Sequence, residues 1–259
     1  MAEYVFDPVA VRDTMVREIK LLSEKLGFTR AVLGISGGKD STITAALLAR
    51  ALGRENVLGV MLPDGVQSDI GDSLRVCEAL GIQKKTVNIG PMHEALHAKL
   101  NESVENGEFY TAFSRESDIN VGPRLRMTVL RYIAQAHGAL LAGTGNLSEA
   151  TVGYCTKDGD TSCDFSVLGK LTSVEVVEVG LTLEELPRDL VIKTPSDGLS
   201  GVSDEEKLGL KYADIHAWLR LGSCGNAQID ADISRREKAN MHKRRRDVTI
   251  DPFAGKENA

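Results

Sequence analysis

The sequence predicts an α/β fold, a doubly wound parallel sheet with helices on both faces. Three observations lead to this prediction. Short apolar runs alternate along the chain with longer segments of helical periodicity, a pattern that is typical of a parallel sheet built from βαβ units. The runs are apolar throughout, as expected of strands covered on both faces. A glycine-rich turn follows the first run, at the edge of the sheet where such folds bind their ligands.

Local signals place the elements in order. Asp7 and Pro8 suit the N-cap and first position of an amphipathic helix, and Gly27 ends it. Four strands are predicted at 31–35, 56–62, 84–89 and 139–142, and the helices between them at 41–52, 69–80, 92–100 and 121–137. Beyond Gly143 the pattern weakens, with turn-rich loops at 153–168 and 194–203 and further helices expected near 172–179, 204–208, 212–221 and 229–241. Without repeats or a strong linker, residues 1–259 are expected to form one domain.

Composition excludes several classes of protein. The 31 lysines and arginines against 37 aspartates and glutamates give a net charge of −6 over 259 residues, which excludes a chain-wide cationic surface for nucleic acid. No apolar run approaches the ~20 residues of a membrane span. The four cysteines show no C-x-x-C spacing, and Cys155 with Cys163 lacks the further ligands of a zinc site. We expect a reduced, cytoplasmic protein with neither nucleic-acid nor membrane partners.

The glycine-rich turn is the most informative segment. Residues 33–42 read LGISGGKDST and join the first strand to a helix, which suits a phosphate-binding loop. It is not a Walker A loop, because Asp40 separates Lys39 from Ser41. Since a carboxylate repels phosphate unless a cation intervenes, Asp40 is predicted to bind Mg²⁺. The alternative is a tight turn at Gly37-Gly38 with Asp40 or Ser41 capping the helix.

The loop resembles the pyrophosphate loop of the ATP pyrophosphatase superfamily, and three further segments narrow the resemblance. Residues 143–149 read GTGNLSE and 152–160 read VGYCTKDGD, followed by Asp164; residues 120–127 read NVGPRLRM; residues 242–244 read HKR, with Pro252 and Phe253 beyond. Together these segments resemble the ammonia-dependent NAD synthetases over nearly the whole chain.

The resemblance implies an adenine nucleotide alpha-hydrolase-like fold, a homodimer, and a defined reaction. ATP would adenylate the nicotinate carboxylate of deamido-NAD with release of pyrophosphate, and ammonia would then displace AMP. Asp40, Glu149 and Lys157 would be catalytic, with Asp40 and Glu149 holding Mg²⁺. The residues implied in ATP binding are Gly34, Ser36, Gly37, Gly38, Lys39, Asp40, Ser41, Gln67, Thr144 and Ser196. Those implied in deamido-NAD binding are Arg124, Arg126, Tyr154, Lys157, Asp160, Asp164, His242 and Lys243.

Each of these residues also has a structural interpretation. Glu149 completes a capping box that starts at Asn146. Tyr154 suits a core tyrosine and Lys157 a solvated loop lysine. Arg124 and Arg126 suit surface salt bridges, and the remaining polar residues suit ordinary turns or helix ends.

Two departures from the family pattern keep alternative functions open. Met61 stands where an arginine is usual and Ser173 where a lysine is usual, although Lys170 lies nearby. Losing two cations beside a triphosphate would weaken ATP binding, so a nucleotide-binding relative without turnover stays open. Another amide- or thio-forming ATP pyrophosphatase is a separate alternative, because the glycine-rich loop alone does not distinguish the members of that superfamily. No cysteine lies in the sequence context of an amidotransferase nucleophile, and the chain is too short for such a domain, so free ammonia is favoured as the nitrogen donor.

The helix carrying Arg124 is the predicted dimer interface. Its apolar residues would form that interface, with an intramolecular core as the alternative; they are Leu125, Met127, Val129, Leu130 and Ile133.

Overall fold

Five parallel strands form the sheet, in the order β3-β2-β1-β4-β5. The computed structural model describes residues 4–66, 70–104, 114–195 and 202–244. The strands are β1 Ala31–Gly34, β2 Val57–Met61, β3 Gln83–Thr86, β4 Leu140–Gly143 and β5 Phe165–Ser166. From β1 the chain moves outward to β3, then returns to the other side of β1 as β4. The order therefore reverses between β1 and β4, and in open α/β sheets this reversal is where ligands bind.

Eleven α-helices lie in the described ranges. They are α1 Pro8–Leu26, α2 Lys39–Leu52, α3 Ile70–Leu80, α4 Gly90–Val104, α5 Arg115–Ala136, α6 Leu147–Val152, α7 Ser173–Gly180, α8 Arg188–Val191, α9 Asp204–Leu208, α10 Tyr212–Leu221 and α11 Ala227–Arg244. Asp7 caps α1 by accepting from the amides of Val9 and Ala10, and Gly27 ends the helix at a φ of 68°. None of the helices that could be described is long and apolar enough to cross a membrane.

The core consists of one apolar cluster on each face of the sheet. Leu33 and Met61 belong to the cluster beneath α1, α2, α3 and α7, whereas their neighbours Val32 and Val60 belong to the cluster beneath α5. Adjacent residues of one strand point to opposite faces, so both faces are buried. The predicted doubly wound arrangement is confirmed. A third cluster, which includes the fully buried Ile215 and Ile233, joins α6, α9, α10 and α11.

The boundaries differ from the predictions in several places. Helix α2 begins two residues early, at Lys39, and α5 begins six residues early because Ser114 caps it by accepting from the Ser117 amide. Strand β3 lies at 83–86 rather than 84–89, and all four of its residues are exposed, so no buried apolar run marks its ends. Strand β5 has only two residues, too few to show any periodicity.

Candidate active site

The glycine-rich loop lies between β1 and α2, at the point where the strand order reverses. Gly37 has a φ of 76°, and a Cβ there would lie 2.9 Å from Asp72 Cβ. The Ser36 amide donates to Ser41 Oγ at 3.2 Å, and the Gly38 amide donates to Ser36 Oγ at 3.2 Å. Gly38 is the N-cap of α2 and no side chain caps this helix, so the alternative of a cap from Asp40 or Ser41 is wrong. The first amides of α2 thus lack side-chain acceptors, an arrangement that suits an anion.

Asp40 joins the two loops that flank the reversal point. Its Oδ1 accepts from Asn146 Nδ2 at 3.0 Å, and its Oδ2 accepts from Lys39 Nζ at 2.6 Å. Asn146 precedes α6 and is fully buried. The loop after β1 and the loop after β4 are therefore tied together by this carboxylate.

Glu149 makes the capping box that its spacing suggests. Its Oε2 accepts from the Asn146 amide at 3.1 Å, and Asn146 Oδ1 accepts from the Glu149 amide at 3.1 Å. Burial and the negative charge of Asp40 raise the pKa of Glu149 to about 8, although Lys39 opposes this shift. The positive charge near the two carboxylates is therefore insufficient to keep the pKa of Glu149 at its usual value.

The donor set of this pair suits Mg²⁺. Carboxylate oxygens are ligands that Mg²⁺ prefers, and it commonly uses one or two of them together with substrate phosphates and water. Among the residues whose positions are described, no group of three or more His, Cys, Asp or Glu side chains is arranged to hold a metal. Water or the oxygens of a bound nucleotide would complete the coordination of a metal ion at Asp40 and Glu149.

Lys39 and Tyr212 form a buried contact next to these carboxylates. Lys39 is only 3% exposed, and its ammonium lies 5.7 Å from the centroid of the Tyr212 ring. Tyr212 is 5% exposed, and its hydroxyl has no hydrogen-bond partner in the described part of the chain. Burial, with the charges of Glu149, Asp204 and Asp40, raises the pKa of Tyr212, so the hydroxyl stays protonated. Sequence reasoning missed Tyr212, because at the start of an apolar-periodic helix it has the signature of a core residue.

Tyr154, Lys157 and Asp160 lie in the segment that follows α6. Tyr154 packs against the third apolar cluster, and its hydroxyl donates to Asp204 Oδ1 at 3.0 Å. The Lys157 side chain has no hydrogen-bond or ion-pair partner within the described ranges, while its carbonyl accepts from Arg124 Nε at 3.3 Å. Asp160 closes the turn, since its Oδ1 accepts from the Thr156 amide at 2.7 Å. This segment therefore presents an unpaired lysine beside an exposed arginine.

Other predicted binding residues make structural contacts. Arg126 Nε donates to the Leu62 carbonyl at 2.9 Å, and burial lowers the pKa of this arginine although Asp64 opposes the shift. Asp164 pairs with Arg131 and accepts from the Leu141 amide at 2.7 Å, so it anchors β4.

The C-terminal basic residues hold the end of α6. Lys243 Nζ donates to the carbonyls of Gly153 at 2.8 Å and Cys155 at 3.0 Å, on either side of Tyr154. His242 Nδ1 lies 3.0 Å from the Ala239 carbonyl, one turn earlier in α11. Thr144 is half-buried directly after β4. Gln67, Ser196, Pro252 and Phe253 lie outside the described residues.

The two departures from the family pattern are both buried. Met61 is 2% exposed in the first core cluster, and Thr86 Oγ1 lies 3.9 Å from its sulfur. Ser173 is 3% exposed at the start of α7, where its amide donates to Ser148 Oγ at 3.1 Å. Lys170 is exposed and its carbonyl accepts from Arg220. Met61 therefore packs in the core, and Ser173 is buried where α7 meets α6.

A cavity of about 350 Å³ lies at the end of β2 and contains none of the predicted residues. It is lined by Asp64, Gly65, Gly90, His93, Glu94 and His97. His93 Nδ1 lies 2.7 Å from Asp64 Oδ2. The loop between β1 and α2 lies outside this lining, and we assign the candidate site to that loop on the basis of its chemistry.

An uncapped helix N-terminus, a glycine-rich loop and paired carboxylates at the reversal point of a parallel sheet define a nucleotide-binding α/β protein. A sequence profile described as NAD synthase matches residues 11–250, and the chain belongs to the NAD synthase family. An NH(3)-dependent NAD(+) synthetase from Methanoregula boonei is 38% identical over 220 residues, covering 82% of this chain and 85% of the relative.

Solved structures agree with this assignment. The structure of an NMN synthetase from Francisella tularensis matches with a TM-score of 0.85 at 29% identity, covering 95% of this chain and all of that one. An NH3-dependent NAD synthetase from Campylobacter jejuni matches with a TM-score of 0.73 at 26% identity, with the same coverage. The family and fold expected from the sequence are thus confirmed.

Proposed function

We propose that the chain catalyses ATP-dependent amidation of deamido-NAD by ammonia, giving NAD, AMP and pyrophosphate. The observation that carries the proposal is the uncapped start of α2 beside Asp40, in a chain of the NAD synthase family. Family membership also argues against the other ATP pyrophosphatases as the function of this chain.

The proposed reaction has two steps. In the first, a nicotinate carboxylate oxygen attacks the α-phosphorus of ATP, and the bond from this phosphorus to the bridging oxygen breaks. Pyrophosphate leaves with the bridging electrons, and the amides at the start of α2 stabilise its charge, helped by Lys39. In the second, ammonia attacks the acyl carbon, AMP leaves, and the nitrogen gives up a proton to form the amide.

The binding residues follow from charge and position. We propose that Asp40 and Glu149 hold Mg²⁺, which would supply charge neutralisation for the phosphates when bound. Lys157, whose side chain is unpaired in the described structure, would contact the nicotinate carboxylate, and Arg124 a phosphate of the dinucleotide. Gln67, Thr144 and Ser196 remain candidates for the ATP contacts predicted from the sequence.

A second candidate is amidation of the mononucleotide to give NMN. It rests on one comparison, since the TM-score with the NMN synthetase, 0.85, exceeds the 0.73 found with the NAD synthetase from Campylobacter jejuni. The two reactions form the same amide bond and differ in the part of the substrate remote from it.

One assay separates the two functions. The protein is incubated with ATP, Mg²⁺ and ammonium, with either deamido-NAD or nicotinate mononucleotide as acceptor, and the amide product, AMP and pyrophosphate are quantified. We expect NAD and AMP in equal amounts, and a higher kcat/KM for the dinucleotide. A higher kcat/KM for the mononucleotide would establish the second candidate, and no amide from either acceptor would refute both. Glutamine in place of ammonium should give no product.

Two further proposals concern assembly and location. Leu130 and Ile133 of α5 are buried in the core, so their predicted part in a dimer interface is wrong. Tyr132 is 77% exposed, and we propose a homodimer through the face of α5 around it. Sedimentation analysis of the wild type and Tyr132→Asp tests the dimer, which the substitution should dissociate.

All four cysteines are free thiols, which supports a reducing, cytoplasmic location.

A further inference from the structure

Lys39 is an unusual cation because it is buried and lies next to the proposed metal ligand. Its side chain is 2% exposed and its ammonium lies 2.6 Å from Asp40 Oδ2. A buried ammonium needs a charged partner, and Asp40 provides it. The other Asp40 oxygen accepts from Asn146, so each oxygen of this carboxylate already has a hydrogen-bond donor.

A divalent cation on Asp40 would place two cations, the metal ion and the Lys39 ammonium, on one carboxylate. Like charges a few ångströms apart repel strongly where water is scarce, so Lys39 and Mg²⁺ compete for Asp40. Bound ATP changes this balance, because its phosphates supply new negative partners for the ammonium. Lys39 is the first residue of α2, so those phosphates would lie within its reach.

We infer that Lys39 is a displaceable internal cation of the metal site, and that the ring of Tyr212 is the platform that holds it on Asp40. Before nucleotide binds, Lys39 neutralises Asp40 and weakens the affinity of the protein for divalent metal. When metal and nucleotide bind together, the metal takes Asp40 and the ammonium contacts the leaving pyrophosphate. The inference rests on the proposed function, since it assumes that Asp40 is a metal ligand.

Tyr212 is the positioning residue in this arrangement. The negative face of its ring lies against the Lys39 ammonium, at 5.7 Å from the centroid, within the range of a cation–π contact. Its hydroxyl makes no hydrogen bond with any described residue, so the ring rather than the hydroxyl is expected to matter. Phe and Leu substitutions distinguish these two parts of the side chain.

The test measures metal affinity without nucleotide. Mn²⁺ is titrated into the full chain, and the free ion is followed by electron paramagnetic resonance. Lys39→Met removes the charge and keeps an unbranched stem, while Lys25→Met, at an exposed position of α1, removes the same charge elsewhere. We expect Lys39→Met to bind Mn²⁺ at least about tenfold more tightly than the wild type, and Lys25→Met to match the wild type. The KM for ATP of Lys39→Met should rise while its Mn²⁺ affinity improves.

The Tyr212 variants give the second readout. Tyr212→Phe should keep the wild-type Mn²⁺ affinity, whereas Tyr212→Leu should tighten it about threefold through loss of the cation–π contact. Circular dichroism and thermal melting check that each variant folds, and Lys39→Gln replaces Lys39→Met if the latter does not.

Unchanged or weaker Mn²⁺ binding on removal of Lys39, with normal NAD synthesis by the wild type, would overturn this inference alone. Absence of NAD synthesis by the wild type would instead overturn the proposed function.

Discussion

The side chain of Asn146 both caps α6 and hydrogen-bonds the proposed metal ligand Asp40. Substitutions of Asn146 separate what these two contacts contribute to the free energy of unfolding. Its Oδ1 accepts from the Glu149 amide as the N-cap of α6, while its Nδ2 donates to Asp40 Oδ1 at 3.0 Å. Asn146→Ser keeps a capping oxygen but cannot extend to Asp40. Asn146→Ala removes both contacts. Ser203→Ala removes the cap of α9 together with the hydrogen bond from Ser203 Oγ to Glu206 Oε2 in the same capping box, and is the matched control.

The magnitudes follow from the two contacts. Loss of an N-cap costs about 1 kcal/mol, and loss of a hydrogen bond to a charged group costs about 1.5–3 kcal/mol. We therefore expect the free energy of unfolding to fall by about 1.5–3 kcal/mol in Asn146→Ser and by about 2.5–4 kcal/mol in Asn146→Ala. In Ser203→Ala it should fall by about 1 kcal/mol.

Urea unfolding measures these free energies, and turnover at varied Mg²⁺ measures the effect on the site. Because the neutral Asn146 amide no longer holds Asp40 in position in either Asn146 variant, each should need more Mg²⁺ for half-maximal rate, whereas Ser203→Ala should not. The reasoning is refuted if Asn146→Ser is as stable as the wild type and Asn146→Ala loses no more than Ser203→Ala. The contact with Asp40 would then contribute nothing.

Three further changes test other parts of the structure. Asp40→Asn should reduce Mg²⁺-dependent turnover below about 1% of the wild type, and it should also lower the thermal midpoint because the buried Lys39 ammonium loses its charged partner; unchanged kinetics would exclude the metal-ligand role. Although burial alone would raise the pKa of Glu175, hydrogen bonds from Arg220, Tyr4 and the Thr172 amide lower it below its usual 4.5. Glu175→Gln should cost about 3 kcal/mol at pH 7, and the difference from the wild type should shrink as the pH falls below about 4, which acid titration of unfolding checks. Gly153→Ala places a Cβ 2.0 Å from Asn240 and should destabilise more than Gly209→Ala, which has a similar φ and open space; equal urea midpoints would contradict the clash.

The sequence predicts the fold well because its signals are local. The α1 cap at Asp7, the buried run of β1 and the glycine loop before α2 all lie where short-range patterns place them. Helices α9 and α10 match their predicted bounds. Among the strands the errors fall at β3 and β5, where an exposed edge strand and a two-residue strand have no apolar periodicity to detect.

The site is less predictable because it depends on the direction in which side chains point. Local spacing shows that Glu149 fits a capping box, but only the fold shows that Asp40 lies close to it. Asp164 is a polar residue of the type that binds substrates, but the structure shows that it contacts Arg131 and the Leu141 amide. Both partners are distant from it in sequence, so local patterns do not reveal these contacts. From the sequence, Met61 is notable only because it replaces a usual arginine, whereas the structure shows that it is a core residue.

Helix caps hold the part of the site that follows β4. Helices α6 and α9 have six and five residues, too few to be stable by themselves, and each begins with a capping box, as does α7. The α7 box is bound to α6 through the Ser173 amide and Ser148 Oγ, and the first residue of α9, Asp204, accepts from Tyr154. Because each box joins a polar side chain to a backbone amide within one turn, Glu149 is fixed by short-range contacts rather than by a long element. Loss of a cap should therefore disturb the site before it disturbs the sheet.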